Sequence, residues 1–180
     1  KVAGFYAALP LVGGMAGGII GGLLGDKLVQ RNNGSTTWAR RITGCLGKGS
    51  GAILVGLSLF FIDQPLIFAL TLCAAKIGAD ISLATRWAAV TDIGGPVIAT
   101  LMALINAAAI IAGNVGSLVY GRIVPDVAGD IIPEPVAWYP VLYVVIGMYV
   151  LCSLTWLMPD TSKPLFTEHD GENKSVYEVA

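Results

Sequence analysis

Seven glycines fall between Gly13 and Gly25 in an otherwise apolar run, GGMAGGIIGGLLG, that stops at Asp26, Lys27 and, four residues on, Arg31. At helical spacing Gly13, Gly17 and Gly21 share one stripe and Gly14, Gly18 and Gly22 the next, so two adjacent strips of such a helix carry no side chains. In water this run would make a poor helix, since each interior glycine costs roughly 1 kcal/mol relative to alanine. In lipid the same face is useful. Burying apolar surface drives nothing there, and helices associate by letting their backbones approach across small residues. The run therefore predicts a membrane-spanning helix that meets water at Asp26.

Composition points the same way. Hydrophobic residues make up 55% of the chain and charged residues 13%, with mean hydropathy +0.74, against roughly 25% charged residues in a soluble domain. The formal net charge is -1 and the basic residues are scattered over loops, which argues against a nucleic-acid partner. The sequence starts inside an apolar segment, without an initiator Met or a basic leader, and is expected to be a fragment of a longer protein. Cys45, Cys73 and Cys152 lie in separate apolar stretches and read as small packing residues rather than metal ligands.

A spanning helix needs about 20 mostly apolar residues to cross about 30 Å of hydrocarbon. Five stretches qualify, at about 4–25, 43–62, 65–91, 97–120 and 136–157. They predict an all-α membrane bundle over 1–158, followed by a solvated, mobile polar tail over 159–180 with too few apolar residues to pack. Five spans put the first loop, the third loop and the tail on one side. That side holds seven basic residues (Lys27, Arg31, Arg40, Arg41, Arg86, Lys163, Lys174) against two, Lys1 and Arg122, on the other. The positive-inside rule makes the richer side cytoplasmic, including loop 26–41 and the tail. Two N-x-S sequons, at Asn33 and Asn173, fall on that side and read as turn residues without glycan. A faint repeat links the first and fourth spans: aligning Gly25 with Gly121 also aligns Gly17 with Gly113.

The third span carries what a purely structural membrane helix avoids. Lys76 and Asp80, spaced by four, share a stripe with Leu83 and Trp87, while Ser82 and Arg86 lie on the neighbouring stripe. Each charge costs about 2.5 to 3.5 kcal/mol near the membrane centre, so these residues should face protein or a watery cavity. Lys76 lies roughly 17 Å in from Pro65 at 1.5 Å per residue. The pair serves either a site or its own mutual neutralisation. Arg86 is either a ligand contact or a snorkelling anchor. In the fourth span Asn106, roughly 15 Å from Pro96, needs a partner that is another helix or a ligand oxygen. Asn114, beside Gly113 and Gly116, reads as packing, and Lys48 as an interfacial anchor. The Gly47-Lys48 stretch lacks a phosphate loop's Gly at Ile42 and its Ser or Thr at Gly49. The single histidine, His169, is in the tail.

The segment 22–31, GLLGDKLVQR, resembles the signature loop of the major facilitator superfamily, G-x-x-x-D-(R/K)-x-G-(R/K)-(R/K), as it appears between the eighth and ninth helices. Gly22, Asp26, Lys27 and Arg31 match; Val29 stands for the usual Gly and Gln30 for a usual basic residue. The stretch 87–95, WAAVTDIGG, with Asn106 and then Gly113, Asn114 and Gly116, resembles the anion:cation symporter branch, which includes hexuronate and sugar-acid carriers. The resemblance implies that the spans are helices eight to twelve of a twelve-helix secondary carrier in the inner or plasma membrane. Its partners would be the lipid bilayer, the missing N-terminal helices and a small organic anion, with no cofactor. It also implies a cavity lined by Arg86, Trp87 and Asn106, and a gate in which Asp26, flanked by Lys27 and Arg31, favours the positive end of the helix beginning near Pro96 by up to about 1 kcal/mol. Arg86 stands where a small polar residue is expected, and either adds an anion contact or marks a different substrate. A membrane-embedded enzyme is the distant alternative, opposed by the lack of a nucleophile, metal or paired acidic motif; a helix-packing subunit without a ligand is the third.

Orientation is testable by single-cysteine labelling. Ser35→Cys and Ser175→Cys should react with an impermeant thiol reagent only after the membrane is permeabilised. Labelling of either in intact cells reverses the topology.

Overall fold

The computed structural model describes residues 2–32, 34–125 and 134–162, and every regular element among them is helical. Five α-helices follow in order: α1 (Val2–Arg31), α2 (Thr36–Ser58), α3 (Pro65–Gly94), α4 (Ile98–Ile123) and α5 (Tyr139–Thr155). Short 3-10 turns occupy Leu59–Phe61, Gly95–Val97 and Pro135–Trp138. Four continuous segments are long and apolar enough to cross a membrane: Gly4–Arg31, Thr36–Phe61, Pro65–Ile123 and Pro135–Thr155.

The third of these segments holds two of the five expected spans, because the break between them is far smaller than the loop read at 92–96. Helix α3 continues through Thr91, Asp92 and Ile93. Only at Gly95 does the backbone turn, with φ 45°, a region that glycine enters without a Cβ penalty. Pro96, next in line, has no N–H to continue the ladder. Helix α1 also runs past Gly25, so Asp26, Lys27 and Arg31 lie on its final turns and not in a loop. It ends where Gly34, at φ 82°, donates its N–H to the Val29 carbonyl at 3.0 Å.

Helix α3 is central, with α1 against one side, α2 against another, and α5 on α2. The glycine stripe is the α1 contact surface. A Cβ added at Gly13 would lie 2.6 Å from the Cys73 carbonyl oxygen, and one at Gly17 or Gly21 would run into the carbonyl of Ile77 or Ile81. Three glycines four apart thus meet three α3 backbone positions four apart. The second stripe behaves differently: Gly14 faces the Asp80 carboxylate, while Gly18 has nothing within 4 Å. On its other side α3 meets α2 equally closely, with Gly47 against the Ser82 N–H and Gly78 against Ser50 and Gly51.

Close backbone approach leaves room only for small side chains between helices. Ala39, Ala52, Ala69, Ala75, Ala79 and Ala89 are buried, and the largest fully buried side chains are Thr43, Thr85 and Ser58. The Thr85 hydroxyl donates to Thr43 at 2.8 Å, and Thr43 donates onward to the Ala39 carbonyl at 2.7 Å, so this polar contact between α3 and α2 is satisfied. Larger apolar groups gather at the far end, where Val55, Ala75 and Leu142 pack with Phe68, Leu72 and Tyr149. Met15, Phe60 and Leu118 point outward, as lipid-facing residues should. Helix α4 contributes no buried residue.

The two glycine stripes therefore predict opposite responses. Gly17→Ala should lower the thermal midpoint of the purified protein in detergent, at an overpacking cost of about 1–3 kcal/mol. Gly18→Ala, with open space to fill and better helix propensity, should leave it unchanged or raise it. Equal midpoints for the two variants would disprove the α1–α3 contact.

Candidate functional site

A cavity of about 350 Å³ opens between α2, α3 and the end of α5, lined by Lys48, Asp80, Ser82, Leu83, Arg86, Cys152, Thr155 and Trp156. The wall hydroxyls are already committed: Ser82 donates to the Ala79 carbonyl at 2.7 Å and Thr155 to that of Cys152 at 2.8 Å. The Arg86 guanidinium and the Lys48 ammonium are the charged donors left to meet a ligand.

Asp80 is not free to balance them. Lys76 Nζ lies 2.7 Å and 2.6 Å from its two carboxylate oxygens, one turn away on the same helix. Gly14 makes this possible, since a Cβ there would sit 2.5 Å from Asp80 Oδ2. With Asp80 neutralised by Lys76, the remaining charges on the wall are both positive. Arg86 stacks its guanidinium 4.8 Å from the centroid of the Trp87 ring, and its Nε is buried with no hydrogen-bond partner among the described residues. A buried donor left unmatched costs about 1–3 kcal/mol, more when charged. A bound anion would remove that cost. Lys48 Nζ lies 5.2 Å from the Tyr149 ring centroid, a cation–π contact that steadies the ammonium and leaves its donors open.

Of the residues singled out in the sequence, Arg86 and Asp80 meet at this cavity, Lys76 reaches it through Asp80, and Trp87 reaches it through Arg86. Asn106 does not join them; it is exposed on α4, as is Asn114. Asp26, Lys27 and Arg31 are exposed on the last turns of α1 and form no ion pair among the described residues. The contact fastening that end is one the sequence reading missed: Arg40 Nε donates to Asp92 Oδ2 at 3.0 Å, joining α2 to the last turn of α3. Gly25 leaves space for it, a Cβ there lying 3.2 Å from an Arg40 terminal nitrogen.

Lys48 was missed as a cavity residue because α2 was expected to begin near residue 43. It begins at Thr36, so Lys48 lies about 18 Å along the helix, at 1.5 Å per residue, instead of near its end. Helix α5 is positioned by a second unforeseen feature. Residues 159–161, expected to be part of a mobile tail, dock on the start of α2. Thr36 donates to the Thr161 carbonyl at 2.8 Å, Arg41 Nε to the Pro159 carbonyl at 2.8 Å, and the Thr161 N–H to Thr37 Oγ1 at 2.9 Å. Thr161 is only 4% exposed. This strap fixes the end of α5 that supplies Cys152, Thr155 and Trp156 to the cavity. Lys163, His169, Asn173 and Lys174, like Asn33 and Lys1, lie outside the described residues.

Comparison with protein-family models, with curated proteins and with solved structures finds no match to this chain.

The strap makes a pH prediction. Asp160 Oδ1 accepts from the Ser162 N–H at 3.0 Å and from Thr37 Oγ1 at 2.9 Å. The Ser162 backbone N–H chiefly, with the Ser162 and Thr37 hydroxyls, lowers its pKa from 3.8 to about 2. A carboxyl whose folded value lies below its unfolded one stabilises the docked strap above the unfolded value, and that contribution is lost as pH falls through the folded one. The Ser162 amide resonance should therefore titrate with a midpoint of about 2, and Thr37→Val should move that midpoint toward 3.8. A midpoint left unchanged by Thr37→Val would mean that the strap is undocked in solution.

Proposed function

We propose that the chain is part of a secondary carrier of the major facilitator type, moving a small organic anion of the sugar-acid kind across the inner or plasma membrane by alternating access. Its helices would correspond to the eighth to twelfth of such a carrier, with the ends of α1 and α3 at the cytoplasmic face. The observation that carries this reading is the Arg86 guanidinium, buried at Nε without a partner beside a cavity whose other unpaired charge is Lys48. A structural arginine in a membrane helix is paired or snorkels to the surface. This one does neither at Nε, and a carboxylate could satisfy it.

The chemistry of capture follows from the groups. Guanidinium presents planar, parallel donors that match a carboxylate bidentately, whereas ammonium attracts it as a point charge. Arg86 would thus orient the anion, with the Trp87 ring limiting how the guanidinium tilts, while Lys48 supplies attraction from the opposite helix. Lys76 would hold Asp80 neutral enough not to repel the incoming charge. The Arg40–Asp92 pair would keep the cytoplasmic ends of α2 and α3 together, with Asp26, Lys27 and Arg31 on the adjacent turns of α1 completing the gate.

The test is uptake of a sugar acid by proteoliposomes containing the complete carrier. Arg86→Lys, which keeps the charge and loses the fork, should raise the half-saturation concentration at least about tenfold, equivalent to 1.4 kcal/mol. Lys48→Gln should weaken uptake as well, and both proteins should still reach the membrane. Unchanged uptake in both variants would leave Arg86 a packing residue and remove the basis for an anionic substrate.

A further inference from the structure

A second cavity, of about 390 Å³, lies at the water end of α1 and α2, separate from the first and lined by Leu28, Arg31, Asn32, Trp38, Ala39 and Ile42. We propose that it is a site for the headgroup and upper acyl chain of an anionic phospholipid. This goes beyond the carrier reading and does not depend on it.

The order of the lining residues carries the argument. Arg31 ends α1, Asn32 follows it in the turn, and Trp38 lies in the first turn of α2, so these three form the rim. Leu28 is three residues further in along α1, about 4.5 Å at 1.5 Å per residue, and Ile42 is four residues further in along α2, about 6 Å. The groove is thus cationic and polar where the bilayer meets water, and apolar where the hydrocarbon begins. A phosphodiester followed by glycerol esters and methylenes has the same sequence of polarity. A free phosphate or carboxylate would have no use for the apolar floor.

The basic residues at this end divide cleanly. Arg40 is engaged by Asp92 and Arg41 by the Pro159 carbonyl. Arg31, with Lys27 one turn before it on the same face, has no hydrogen-bonding or ion-pair partner among the described residues. Asp26, the nearby carboxylate, does not line the groove. Trp38 is 60% exposed, and an indole with one wet and one apolar side is the side chain that settles at the headgroup level. Basic pockets between spanning helices near the membrane surface bind anionic headgroups by the same combination of fixed cation and partial burial.

The experiment uses the purified protein in a neutral detergent, with thermal midpoint and native mass spectrometry as readouts. Dioleoyl phosphatidylglycerol should raise the midpoint and remain bound on the protein; dioleoyl phosphatidylcholine at the same concentration should do neither. Arg31→Gln should weaken phosphatidylglycerol binding about fivefold, the roughly 1 kcal/mol that a basic residue contributes near an anionic surface. Trp38→Ala should weaken it as well, and Arg122→Gln, at the opposite end of α4, should not. Three results would each overturn the proposal: equal loss in Arg122→Gln, which means scattered charge attraction; retention in both Arg31→Gln and Trp38→Ala; or an equal shift from glycerol 3-phosphate alone, which makes the groove a site for soluble anions.

Discussion

Carbonyl oxygens of Cys73, Ile77 and Ile81 occupy the space that side chains at 13, 17 and 21 would fill, and the rest of the bundle is arranged around that approach. It limits the register of α1 on α3, because a one-residue shift in one direction would put Val12, Ala16 and Ile20 against backbone; in the other direction the second glycine stripe, Gly14, Gly18 and Gly22, would face it. It also places Gly14 over Asp80, which lets the Lys76–Asp80 pair form inside the helix layer. Helix α3 is pressed on its other side by Gly47 and Gly51 of α2, so its charged groups cannot be relocated by sliding either neighbour.

That rigidity explains why the charges on α3 divide into satisfied and unsatisfied. Asp80 finds Lys76 on its own helix, and Asp92 finds Arg40 on α2. Removing one member of a buried pair typically costs 3–5 kcal/mol, because the other charge is left behind; both pairs are partly solvated, which makes the cost smaller here. Arg86 has only an aromatic face and a cavity. A helix clamped along its length does not hold an unmatched buried donor for stability's sake, which is why the arginine carries the functional proposal.

Much of this was legible in the sequence, and the reason differs by residue. The Gly13-Gly17-Gly21 stripe could be read because glycine in a membrane helix has one dominant use, and the Lys76–Asp80 spacing because i, i+4 is set by helix geometry alone. Helix ends were less legible. Hydropathy stops at the first charge, yet α1 continues six residues past Gly25 and α2 begins seven before Thr43, since backbone hydrogen bonds persist into the interface. That shift hid how far along α2 Lys48 lies. The Arg40–Asp92 pair and the strap on Thr36 and Thr37 join residues 52 and more than 120 positions apart, and no periodicity reports such contacts. Asn106 shows the reverse. Its polarity marked it as needing a partner, but Asn106 is exposed on α4 and makes no hydrogen bond among the described residues.

The distribution of these fasteners constrains how such a bundle could move. Glycine contacts join α1 to α3 and α3 to α2, the Thr85–Thr43 bond and the Arg40–Asp92 pair reinforce the second of these, and the strap with the Cys45–Ser153 contact at 3.2 Å joins α5 to α2. Four helices therefore behave as one body, and the cavity between α2, α3 and α5 lies inside it. A ligand shifts a conformational equilibrium only by interacting differently with the two states. An anion touching Arg86 and Lys48 alone would bind a single rigid body and favour neither state. To drive rocking it must also touch something outside that body. Helix α4, which follows the turn at Gly95, touches α3 and α5 only lightly and has no buried side chain of its own, is the element of this chain least held to that body.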